Sequence, residues 1–175
     1  KDVNFDIIEE LIHSPWHEMR MCALLILVNN SKKEVTKDTF DFYLSQTKYI
    51  NNWDLVDLSV YNIIGAHFLH RDRSLLYQWA HSELLWEQRM AIVATMWFIR
   101  HGEYDDTLRL AEMLCHHPHD LMQKAVGWLL REVGKRDMTR LTDFLDKHYT
   151  TLPRTLLRYA IEKFPPELRK HYMAR

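Results

Sequence analysis

Cysteine is nearly absent from this chain of 175 residues: Cys22 and Cys115 are the whole supply. Two thiols do not make the disulfide framework of a small secreted scaffold, and they fit a reducing compartment. Glycine and proline are scarce too, at four and five. That scarcity argues against a turn-rich β fold and for helices. No apolar run approaches the roughly 20 residues that span a bilayer, and no signal peptide is expected. There is no phosphate-cradling glycine loop. Net charge is close to absent as well, at -1, so total charge does not speak for or against a polyanionic partner. Its distribution says more. Residues 1–84 hold 8 basic against 12 acidic side chains, and residues 85–175 hold 15 against 12. The expectation from bulk properties is one soluble, cytoplasmic, all-α domain over 1–175, with length enough for a sizeable core.

What the chain does have is a repeat. Helix-start signals recur at Ser14-Pro15, Asn52, Asp120 and Leu152-Pro153. Shorter amphipathic segments fall between them, at roughly 38–47, 73–81, 105–115 and 139–148. Polar turns such as His101-Gly102-Glu103 and Lys135-Arg136-Asp137 separate long from short. The long segments align on one position: Arg20 in RMCALL, Asp54 in DLVDLS, Arg89 in RMAIVA, Lys124 in KAVGWL and Arg158 in RYAIEK. The spacing is 34 or 35 residues throughout. Such a period signals stacked helix pairs, a solenoid of the HEAT-like kind, since no tetratricopeptide signature is present. Stacking places equivalent positions in a row. Here the row reads Arg, Asp, Arg, Lys, Arg, which predicts a concave basic track suited to phosphates. The plainer reading of each cation is a solvated helix surface.

The second unit, NNWDLVD at 51–57, departs from its siblings. Three residues after the aligned position it carries Asp57, where the others have Ala23, Ile92, Gly127 and Ile161. An acid thus stands where the other repeats pack. Trp53 lies four residues before Asp57, so indole and carboxylate share a helix face. Trp128 lies four residues after Lys124 and leans toward the same track. Acid and indole faces together can cradle positive charge. The competing readings are a surface ion pair for Asp57 and core packing for the two tryptophans. Asp54 in the first turn suits the helix dipole. Trp16, Trp79, Trp86 and Trp97 are expected to pack between helices.

The motifs NNWDLVD, WEQRMAI at 86–92 and QKAVGWLLRE at 123–132 resemble those of the AlkD-type DNA alkylation repair proteins, and PRTLLRYAIEKF at 153–164 is similar to that family's C-terminal pattern. The resemblance covers nearly the whole chain. It implies a HEAT-like glycosylase that removes positively charged N3-alkyladenine and N7-alkylguanine from duplex DNA. It implies Asp57 as the catalytic carboxylate, Trp53 and Trp128 against the sugar and backbone of the damaged nucleotide, and Arg89 on a phosphate. Arg20, Lys124, Arg131, Arg154 and Arg158 are the further candidates for DNA contact. Members of the family carry extra N-terminal helices, and this sequence begins at Lys1 without methionine, so such helices are expected to precede it. A monomer acting on alkylated duplex DNA is expected, without membrane, obligate protein partner, metal or cofactor.

The chemistry suits these residues. An alkylated purine already carries positive charge and departs neutral, so no strong general acid is needed. The sugar left behind becomes oxocarbenium-like, and a carboxylate can stabilise it and position or deprotonate water. The alternative function is a non-catalytic scaffold that binds branched or distorted DNA through the basic face. A protein-interaction solenoid is the third. The run Cys115-His116-His117-Pro118-His119 and the pair His67 and His70 match no defensible metal-ligand spacing.

Overall fold

The computed structural model describes residues 4–174, and these are helical with no strand. Thirteen α segments follow in order. They are α1 (Phe5–Ile12), α2 (His17–Asn30), α3 (Lys37–Ser45), α4 (Trp53–Val60), α5 (Ala66–Phe68), α6 (Ser74–Ala80) and α7 (Leu85–Ala94). Then come α8 (Met96–Arg100), α9 (Asp105–Leu114), α10 (Asp120–Gly134), α11 (Met138–His148), α12 (Arg154–Ala160) and α13 (Pro166–Met173). A π turn at Tyr61–Gly65 joins α4 to α5 without a break in direction. The architecture is a helical-repeat solenoid. One layer stacks α2, α4, α7, α10 and α12 side by side in chain order, and α1, α3, α6, α9 and α11 back it. This inner layer matters for the site, because it sets successive helices side by side.

Local sequence explains where the helices begin. The side chains of Asn4, Thr36, Asn52, His119 and Asp137 each accept a hydrogen bond from a backbone N–H in the first turn that follows, which satisfies donors that no helix can pair internally. Gly102, with φ of 80°, is the one described residue in the left-handed region, and it ends α8 as the glycine of the His101-Gly102-Glu103 turn. One start differs from expectation. The Ser14 hydroxyl accepts from the Trp16 N–H, so the chain stays extended at Trp16 and α2 begins at His17, not at Ser14-Pro15. The same extension leaves Trp16 70% exposed, which corrects its expected place between helices. Trp79 is buried, and Trp86 and Trp97 pack against the core.

The core runs unbroken through the stack. Leu24, Leu55, Ile63, Met90, Ile92, Val126 and Leu156 have no exposed surface. Of the positions aligned with Asp57, Ala23, Ile92 and Ile161 are likewise buried to 1% or less, and Gly127 is buried. Gly127 is there because of what faces it. A Cβ at this position would lie 2.5 Å from the Leu156 carbonyl oxygen and 2.6 Å from the Tyr159 Cβ. Alanine in place of glycine gains about 1 kcal/mol of helix propensity. Forcing α12 off its seat costs about 1–3 kcal/mol. Gly127→Ala is therefore expected to lower the melting temperature by several degrees, which thermal denaturation would measure. An unchanged or higher value would show that α12 moves freely.

Candidate active site

Helices α4, α7, α10 and α12 meet at an open cavity of about 500 Å³. Trp53, the first residue of α4, forms its rim and is 49% exposed. Asp57 follows one turn later and turns inward. Lys124 and Trp128 line the cavity from α10, together with Arg131, and Tyr159 closes it from α12. The structure therefore gathers Trp53, Asp57, Arg89, Lys124, Trp128 and Arg131 in one place, from residues 78 positions apart in sequence at the extremes.

The chemistry at the cavity floor is an ion pair. Arg89 donates from Nε to Asp57 Oδ1 at 2.9 Å and from Nη2 to Oδ2 at 2.7 Å. The pair is bidentate, a geometry that fixes the carboxylate in plane as well as in place. The remaining guanidinium nitrogen, Nη1, donates to the Leu121 carbonyl at the start of α10. The Arg89 side chain is 5% exposed and that of Asp57 17%. Burial pushes the Asp57 carboxyl above its ordinary range, the hydrogen bonds and charge of Arg89 pull it down, and the neighbouring Asp54 pushes it up again. Asp54 is itself held, accepting from the Leu55 N–H at 2.8 Å and lying 2.8 Å from His17 Nε2 across the α2–α4 contact.

Arg89, implied as a phosphate contact, is engaged within the protein here. All three guanidinium nitrogens already donate to protein acceptors, and the side chain points down to Asp57 instead of outward. The other candidate cations also part company. Arg20 is half-buried and donates to the Ser14 carbonyl. Lys124 pairs with Asp120 one turn back and still reaches the cavity. Arg131 donates to Glu162 and lines the cavity with its Nε buried and without a partner. Arg154 donates to the Met173 carbonyl, tying α12 to α13. Arg158 is exposed and its neighbour Tyr159 takes the place in the wall. The reason is geometric. Helices in the stack meet at separations of 32 residues for Asp57 to Arg89 and for Arg89 to Leu121, and 31 for Arg131 to Glu162. These are about one turn short of the 34–35 period, so a residue faces the turn after the aligned one on the preceding helix.

Nor does the histidine-rich run present ligands. The ring Nδ1 of His117 accepts from the His119 N–H, and that of His119 accepts from the Leu121 N–H, so both serve the turn into α10. Among the described residues no three His, Cys, Asp or Glu side chains converge.

Comparison with known proteins bears on this arrangement. The sequence pattern of the family described as "DNA alkylation repair enzyme" matches residues 1–164. The chain belongs to the DNA alkylation repair enzyme family. A solved structure from Enterococcus faecalis, described as a "predicted DNA alkylation repair enzyme", superposes with a TM-score of 0.75 at 16% identity. The match covers 92% of this chain and 75% of that one, and at such identity it speaks for the fold. Comparison with curated proteins gives no match. For a member of the DNA alkylation repair family, a cavity floored by a carboxylate and walled by aromatic side chains is the place to look for the reacting group. No helix among the described residues is long and apolar enough to cross a membrane.

Proposed function

We propose that the protein is a DNA glycosylase that hydrolyses the N-glycosidic bond of cationic alkylated purines, N3-alkyladenine and N7-alkylguanine, in duplex DNA. The observation that carries this reading is the buried Asp57 carboxylate, oriented by Arg89 and open to a cavity walled by Trp53, Trp128 and Tyr159. The Asp57–Arg89 pair holds a charged carboxylate in a poorly solvated place. Charge developing on the sugar meets a ready-made counter-charge there, with no solvent to reorganise. Indole faces at the rim add an attraction of about 0.5–2 kcal/mol for a cation lying over them. Lys124 and Arg131 supply positive charge at the cavity wall for the flanking phosphates. Water placed against Asp57 completes the hydrolysis, its proton passing to the carboxylate and its oxygen to C1′.

The test is single-turnover release of 7-methylguanine from methylated duplex DNA by the wild-type protein, measured across pH. Release is expected without added metal. Asp57 acts ionised and its carboxyl lies above the ordinary carboxylate range. The rate is therefore expected to be full at neutral pH and to fall as pH drops through that raised value, above the roughly 3.9 of a free aspartate. Absence of release, with duplex binding intact, would favour the scaffold that binds distorted DNA without chemistry.

A further inference from the structure

A second concavity opens at the C-terminal ends of the helical runs that begin with α4 and α7. It measures about 420 Å³ and lies where α2, α5 and α8 end, with Asn62, Ala66 and Trp97 on its floor. Lys32, Lys33 and Arg71 stand on its rim. All three are exposed, and none forms an ion pair among the described residues. That sets them apart from Lys37, Arg73, Arg89, Lys124 and Arg131, each of which has a carboxylate partner. Glu34 is the one acid in the lining, so the rim is positive on balance. Between the two cavities Arg100 lies over the Tyr61 ring at 4.6 Å, and Tyr61 is one turn beyond Asp57. Positive charge thus continues along the layer from one cavity to the other.

The separation is informative. Asp57 and Ala66 are nine residues apart along one helical run, about 13 Å at helical rise. A duplex presents two rows of phosphates, roughly 12 Å apart across the major groove. A single strand presents one. The geometry points to Lys32, Lys33 and Arg71 as the contact for the phosphate backbone of the strand opposite the one whose nucleotide enters the Asp57 cavity. This rests on the DNA reading above and adds to it a reason for acting on duplex instead of single-stranded DNA. None of the three touches the Asp57 cavity, so their role is to seat the duplex.

The test replaces all three with glutamine (Lys32→Gln, Lys33→Gln, Arg71→Gln) and measures fluorescence anisotropy with an unmodified duplex and with one of its single strands over a range of salt. Each lost phosphate contact lowers the slope of log affinity against log salt by about 1. The expected result is a duplex slope lower by about 2 to 3, a single-strand slope unchanged, and an unchanged melting temperature. A duplex slope equal to that of the wild type, where the wild type binds steeply, overturns this inference and leaves the glycosylase reading standing. Equal losses on duplex and single strand overturn the assignment to the opposite strand. A wild-type protein with no salt-dependent affinity for duplex DNA overturns the DNA reading, and this one with it.

Discussion

Asp57→Asn is expected to slow single-turnover release of 7-methylguanine about a thousandfold while leaving duplex affinity equal or slightly higher. The magnitude follows from Coulomb's law. Opposite unit charges about 4 Å apart at an effective dielectric near 20 attract by roughly 4 kcal/mol. If that attraction exists only once the sugar has become cationic, it converts to about three orders of magnitude in rate. Asparagine keeps the shape and one acceptor for Arg89 but sets an amide N–H2 against the other guanidinium donor, so a melting curve run alongside separates lost stability from lost chemistry. Affinity does not fall because the substitution takes a negative charge away from a wall that faces phosphates. Quantifying released base by chromatography, with binding measured alongside, separates the two effects. Release at the wild-type rate by the variant would remove Asp57 from the chemistry.

Arg89→Ala is the second large effect, and its signature differs. Arg89 bridges three helices: it sits on α7, holds Asp57 of α4 by two bonds, and reaches the Leu121 carbonyl of α10. Removing it leaves a buried carboxylate without a partner, which costs about 3–5 kcal/mol. The melting temperature should fall by ten degrees or more. The sign of the pH effect is also fixed. Arg89 is what holds the Asp57 carboxyl down against burial, so its loss raises that carboxyl further. The acid limb of the release profile then moves to higher pH, and the rate at neutral pH falls. The salt slope of DNA binding should barely change, because the guanidinium faces inward. A variant whose slope fell by about 1 with stability intact would return Arg89 to the role of a phosphate contact. Arg89→Lys, which keeps charge but not the two-pronged geometry, should recover stability better than rate.

Much of this site was legible in the chain. Asp57 stood out because its repeat siblings are small or apolar, and the structure buries those siblings in the core. Trp53 and Asp57 share a face because four residues make about one helical turn, and that argument needs no tertiary information. What the sequence obscured is which residue of one helix meets which of the next. The 34–35 residue period measures repeat length. Contact between neighbours depends on axial offset as well, and that offset shifts pairing by a turn. Hence the period pairs Arg89 with Asp54, whereas its partner is Asp57. Tyr159 carries no signal in the sequence, because its neighbour Arg158 occupies the aligned position. Glu162, the partner of Arg131, sits thirty-one residues away, and no local signal marks it. The exposure of Trp16 was hidden too, since a serine cap two residues earlier keeps the chain extended where a helix was expected.

The bonds of Arg89 also limit what can be done with the repeats as parts. In many solenoids each unit touches only its neighbours, and units can be deleted, duplicated or exchanged with a roughly additive effect on stability. Here the carboxylate comes from one unit, its guanidinium from the next and the carbonyl that steadies the guanidinium from a third. The segment from α4 to the start of α10 is therefore a single indivisible module for the proposed chemistry. Inserting or excising one repeat within it should abolish the site even where the chain still folds. The same operation outside it should change length and leave the chemistry alone.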